Sequence, residues 1–258
     1  MNSVSEYLNK INEVFNSGQI ERIWYRGQSK INDKYKLLPS IYRETEQEYL
    51  EYDLFLRFKA KGVPFLKYKP ETEWDWLFLM QHHGVPTRLL DWSEDALIAL
   101  AFAVEKRTTG DNHEEDACVW LLNPFGLNTQ FNAFRDYKFI PNVEEERIKE
   151  HFGMKPKHLL TGAAMYNMQH PISVIGSMNS DRIISQKGVF TLFPQPSSDL
   201  KPLEETENHD QFLYRIVIKK QSIDRIKQEL IRFGVNENSL YPGLDSIAKE
   251  IERELKNK

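Results

Sequence analysis

Nine consecutive residues, Ala96-Leu97-Ile98-Ala99-Leu100-Ala101-Phe102-Ala103-Val104, carry no polar side chain. A helix that is apolar all round must be covered all round, and this run is far short of the ~20 residues that cross a bilayer. It predicts a buried central helix about which the rest of the chain is wrapped. Trp92-Ser93-Glu94-Asp95 reads as its start, with Ser93 as the cap and acidic residues in the first turn.

The flanking elements follow from periodicity and punctuation. Val4, Tyr7, Leu8, Ile11, Val14 and Phe15 fall at helical spacing, with Ser3 and Glu6 as a capping box and Gly18 as a stop, giving a helix over 3–17. Residues 23–26 read as a short strand closed at Gly27, and residues 45–61 as a charged helix. Thr72 and Asp75 form a capping box opening a helix that runs to Gly84. A polar loop over 105–116 leads to a buried strand, Ala117 to Leu122. Within 124–180 only Val143 to Phe152 reads as a helix. Further strands are expected at 188–193 and 212–218, joined by a polar connection over 195–210. Two helices, 222–233 and 243–256, are parted by Gly234 and Pro242. Strands on both sides of the central helices predict one α+β domain over 1–258, built on a small mixed or antiparallel sheet with flanking helices.

Net charge -4 and a pI near 6.0 do not match the basic footprint of a duplex-DNA binder. The single cysteine, Cys118, lies in an apolar run and reads as a buried strand residue. The start of the sequence has neither a basic nor an apolar leader region, and no stretch is long enough to span a bilayer, so a cytoplasmic protein with no membrane partner is expected.

Three segments carry chemistry. Tyr25-Arg26-Gly27-Gln28 offers a guanidinium fork for a phosphate or carboxylate, beside a glycine that permits close backbone approach. Gln81-His82-His83-Gly84-Val85-Pro86-Thr87-Arg88-Leu89-Leu90-Asp91-Trp92 is the densest polar cluster. Adjacent histidines on a helix point about 100° apart and neither HExxH nor CxxC spacing is present, so no metal site is expected from His82, His83 and Asp91. The cluster reads instead as a buried network in which Arg88 pairs Asp91, or as a ligand pocket built on one. Such a pair predicts that Asp91→Ala costs about 3–5 kcal/mol. Arg182 and Gln186 stand just before the 188–193 strand. Phosphate-binding GxGxxG and GxxxxGK[ST] and the hydrolase GxSxG are absent.

Together these segments resemble the FRG domain family, whose name comes from an aromatic-Arg-Gly motif that Tyr25-Arg26-Gly27 matches with Tyr for Phe. Leu38-Pro39-Ser40-Ile41-Tyr42-Arg43, the Gln81 to Ser93 segment, Gln186-Lys187-Gly188-Val189-Phe190-Thr191 and Leu240-Tyr241-Pro242-Gly243-Leu244 resemble its later elements, over about 23–250. The family is bacterial and largely uncharacterised. It is found in phage-related settings where toxin or defence roles are suspected, which implies an antitoxin or another protein as a partner.

The order of elements is also similar to that of arginine-type ADP-ribosyltransferases: an Arg on the first strand, a later strand leading into a buried helix, and a late strand bearing a Glu. Leu89-Leu90-Asp91-Trp92-Ser93 departs from their Ser-Thr-Ser, and Gln186 stands nearest their Glu. The analogy implies NAD as a substrate rather than a tightly bound cofactor. Asp91, Gln186 and His83 would lie at the reacting centre. Tyr25, Arg26, Gly27, Gln28, His82, Thr87, Arg88, Trp92, Ser93 and Arg182 would surround the nucleotide. Two further readings stay open: a non-catalytic module that binds a nucleotide, nucleic acid or protein, and a nuclease using His82, His83 and Asp91.

Overall fold

In chain order the elements of the computed structural model are α1 (Val4–Gly18), β1 (Trp24–Gln28), α2 (Ile41–Glu44), α3 (Leu50–Gly62), α4 (Glu73–His82), β2 (Leu89–Ser93), α5 (Ala96–Glu105), β3 (Ala117–Leu122), α6 (Pro124–Gln130), α7 (Glu146–Phe152), β4 (Ile172–Val174), α8 (Asp181–Ser185), β5 (Gly188–Leu192), β6 (Leu213–Ile218), α9 (Ile223–Arg232), α10 (Glu237–Leu240) and α11 (Leu244–Lys256). The structure describes residues 1–18, 20–32, 35–44, 50–66, 69–105, 114–130, 134–155, 170–176, 181–195 and 200–256. The expected helix start at 45–49, most of the 105–116 loop and the beginning of the 195–210 connection lie outside them.

The strands form one six-stranded sheet in the order β4-β5-β2-β1-β3-β6, with every pairing antiparallel. The class is therefore α+β, and of the two sheet types expected the antiparallel one is found. Among the described residues no helix is long and apolar enough to cross a membrane.

The apolar run forms α5, which is the buried helix its composition demands. It lies on the sheet against Tyr25, Val119, Leu121, Ile216 and Ile218 and is roofed by Ile223, Ile226 and Leu230 of α9. Its alanines let it come very close. A Cβ on Gly27 would sit 1.9 Å from the Ala99 carbonyl oxygen and 2.6 Å from the Ala103 nitrogen. The expected turn at Gly27 is thus absent: β1 continues through it to Gln28, and the missing side chain makes room for a helix. The cap differs as well. Asp95 Oδ1 accepts from the backbone N–H of Leu97 and Ile98 at 3.0 and 3.2 Å, so Asp95 opens α5. Ser93 is the last residue of β2; its hydroxyl donates to the Gln186 carbonyl at 2.6 Å and accepts from Asp95 N–H at 2.9 Å.

On the other half of the sheet, α4 opens with the capping box of Thr72 and Asp75. It buries Trp74, Trp76, Leu77, Phe78 and Met80 in a core shared with Leu89, Phe190, Leu192, Ile172 and Val174. A third cluster, containing Trp24, Leu90, Trp92, Phe193 and Phe212, joins both halves. The expected Arg88–Asp91 pair does not form. Arg88 is buried, with Nε 2.8 Å from Glu51 Oε2 and Nη2 donating to the Gly153 carbonyl at 2.9 Å. Arg88 and Asp91 are three residues apart on extended chain, which turns their side chains to opposite faces: Arg88 is buried just before the strand, whereas Asp91 is the strand's one exposed residue.

Candidate functional site

β1 pairs with β3 over five residues and β2 with β5 over five, yet β1 and β2 meet at a single register pair, Tyr25↔Ser93. Beyond that pair the two central strands part, and a cavity of about 360 Å³ occupies the seam. That size is at the lower end of the range for small-ligand pockets, roughly 300–1,000 Å³. Both strands supply lining residues. So do Phe78, Gln81 and His82 of α4, Phe102 of α5, Arg182 and Gln186 around α8, and Tyr35, Lys36, Arg43 and Tyr241.

Arg26 spans the seam. Its Nη1 donates at 2.6 Å to the backbone carbonyl of Asp91, a group left without a ladder partner where the strands diverge. Burial pulls its guanidinium below the usual range; Asp91 opposes this and Arg43 adds to it. The guanidinium still carries further donors. The Asp91 carboxylate is held from α4: Gln81 Nε2 donates to Oδ2 at 2.8 Å, while Gln81 Oε1 accepts from the buried Thr87 hydroxyl, which fixes which end of the carboxamide faces Asp91. Gln28 is engaged at both ends of its carboxamide, accepting from Trp120 Nε1 at 2.7 Å and donating to the Tyr35 carbonyl.

The remaining lining is cationic and aromatic. Arg43 Nε and Nη2 both donate to the Leu38 carbonyl, at 3.0 and 2.8 Å. The Arg182 guanidinium lies 4.9 Å from the ring centroid of Tyr241, which meets Phe102 edge-on at 6.0 Å and donates to Glu105 Oε2 at 3.1 Å. Burial pushes the Tyr241 phenol up to about 12, with Glu105 adding to the effect. Among the described residues, Arg26, Arg43 and Arg182 have no carboxylate within ion-pair distance, whereas Lys36 pairs with Glu205 at 2.9 Å. Burial lowers the pKa of His82, and His83 and Arg182 lower it further. Asp91 is the one carboxylate among the described lining residues. The chain carries net charge -4, but this cavity is basic.

The sequence spanning β1, α4, β2 and α5 decides what the chain is similar to: residues 21–112 match the family model of the FRG domain. The chain carries an FRG domain. No curated protein and no solved structure gives a significant match. The matched residues include both strands of the seam and the Gln81–Thr87 support of Asp91. Arg182, Gln186 and Tyr241 lie outside it.

Of the residues singled out in the sequence, Tyr25, Arg26, Gly27, Gln28, His82, Asp91, Trp92, Ser93, Arg182 and Gln186 line the cavity. His83 does not: it caps the C-terminal end of α4, exposed, beside Phe58. Thr87 and Arg88 are buried outside the lining, Thr87 behind Gln81 and Arg88 against Glu51 and the Trp74 ring. The Gln186 carboxamide donates to the Leu240 carbonyl at 2.6 Å, and the Trp92 indole to Thr191 at 3.1 Å. Cys118 is buried behind the sheet, where burial pushes its thiol up to about 12. Among the described residues no three His, Cys, Asp or Glu are grouped so as to hold a metal. Sequence reasoning passed over Gln81, Arg43, Phe102 and Tyr241 as site residues. Gln81, Arg43 and Tyr241 stand within segments that carry the family resemblance and Phe102 within the apolar run of α5, and only the fold shows which of their atoms reach the cavity.

Proposed function

We propose that the seam cavity of this FRG domain binds a nucleotide, with NAD as the substrate to test first. The observation that carries this is the convergence on an aromatic-walled cavity of three arginines that have no carboxylate partner among the described residues. Arginine forks pair with phosphate oxygens, and aromatic rings and guanidinium planes stack on bases. In an ADP-ribosyltransferase-like reaction Asp91 is the described lining residue whose carboxylate would stabilise positive charge developing at the nicotinamide ribose. The test is calorimetric titration of NAD into wild type and Arg26→Ala, with nicotinamide release followed in the same samples. Loss of a charge-assisted bond worth about 1.5–3 kcal/mol should weaken NAD roughly 10–100-fold in the variant. Unchanged affinity removes the reading.

A second reading, a module that binds without turnover, is favoured by the engagement of Gln186 and the position of His83. Of Asp91, Gln186 and His83, the residues expected at a transferase's reacting centre, these leave Asp91. NAD binding by the wild type without nicotinamide release would select it. Release abolished in Asp91→Asn at an unchanged melting temperature would select the transferase. The nuclease reading loses one of its three residues with His83.

A further inference from the structure

Resting on the nucleotide reading, we infer that the cavity takes its ligand in one direction, with a diphosphate clamped between Arg26 and Arg43 and the nucleoside against Phe102 and Tyr241. The two ends belong to different layers of the fold. Phe102 and Tyr241 pack with the core that covers the α5 side of the sheet. Arg43 follows Tyr42, and Leu38 and Tyr42 pack with the cluster containing Trp24, Trp92 and Trp120. Arg26, spanning the seam, stands between them.

Each end has its own chemistry. At the first, Arg26 and Arg43 line the same cavity close enough for each to feel the other's charge, and neither has a carboxylate partner among the described residues. Both are instead fixed by neutral carbonyls, Arg26 on Asp91 and Arg43 on Leu38. A carbonyl orients a guanidinium without neutralising it. Two oriented like charges facing one space form a site whose repulsion an anion relieves, and a diphosphate offers each arginine its own phosphoryl group. Lys36, on the same side, is drawn off by Glu205, so the subsite rests on the two arginines. At the second end the lining is flat and planar: the Tyr241 ring with Phe102 at its edge and the Arg182 guanidinium over it. Such surfaces hold a base by stacking.

The ligand class is therefore a nucleoside diphosphate or a molecule containing one. The test uses ADP, adenosine and inorganic pyrophosphate as separate probes, titrated into the full chain. Arg43 is exposed, so Arg43→Ala should fold, which its melting temperature verifies. Arg43→Ala should weaken ADP and pyrophosphate by roughly tenfold or more and leave adenosine unchanged. Tyr241→Leu should weaken ADP and adenosine and leave pyrophosphate unchanged; Phe102→Leu replaces it if Tyr241→Leu melts early. ADP affinity within twofold of wild type in Arg43→Ala, while NAD still binds the wild type, overturns the diphosphate clamp and leaves the nucleotide reading standing. Equal loss of pyrophosphate in Arg43→Ala and the aromatic variant overturns the direction. A wild type that binds neither ADP nor NAD overturns the nucleotide reading and this inference with it.

Discussion

Glu51 takes the role that the sequence suggested for Asp91 as the partner of Arg88. Glu51 receives both the Arg88 guanidinium and the Arg88 backbone N–H, at 2.8 Å each, in a region where Arg88 is 1% exposed. Its removal orphans a buried cation, so Glu51→Ala should cost about 3–5 kcal/mol in denaturant unfolding. Asp91 faces the cavity, and Asp91→Asn should change stability by less than about 0.5 kcal/mol. A larger loss in Asp91→Asn than in Glu51→Ala would contradict the pairing described here. That Arg88 would need a partner was legible from its place between apolar residues. The identity of that partner was not, because Glu51 lies 37 residues away on α3 and no local pattern links them. Gly27 shows the same limit. Its presence was conspicuous, but a glycine needed by a ligand and one needed by a helix look alike in sequence. Gly27→Ala should destabilise the fold whether or not ligand is present, by ~1–3 kcal/mol or more, since its Cβ would overlap the α5 backbone.

At the scale of elements, what could be read was what burial dictates locally. α5 was legible because it has no polar face, β3 because all six residues are apolar and buried, and α4 because its capping box is realised. β2 was not. It is a central strand, but Asp91 faces the seam and Ser93 serves a hydrogen bond, so it lacks both an unbroken apolar run and strict alternation. β4 has only three residues and gives too short a pattern. The start of α5 supplies a pH test. Burial alone would raise the pKa of Asp95, but hydrogen bonds from Lys187 and from the backbone of Ile98 and Leu97 outweigh it, and the folded pKa lies below the ordinary 3.8. A depressed carboxylate contributes stability that is fully present above its unfolded pKa and lost as pH falls through the folded one. Urea unfolding across pH should therefore show wild type more stable than Asp95→Asn at neutral pH, the difference closing below about pH 4. A gap independent of pH would mean that the ionised cap contributes nothing.

Across the whole molecule, the seam divides one sheet into two halves joined by a single register pair, one arginine and a shared apolar cluster. A ligand held by Arg26 on β1 and Asp91 on β2 would tie the halves together. Saturation at 100 times Kd adds about 2.7 kcal/mol to stability. The gain should be visible as slowed amide exchange concentrated in 24–28 and 89–93, and uniform slowing across the chain would argue against a seam site. The buried Cys118 allows the separation of the two halves, with and without ligand, to be followed by a different route. With its thiol pushed up to about 12, it is almost wholly unreactive towards alkylating reagents at neutral pH. A probe pair attached through Glu94→Cys after β2 and Arg215→Cys on β6, both exposed positions, would be the sole reactive sulfurs of an otherwise unaltered chain. The protein comes ready to be fitted with a molecular ruler across its own divide.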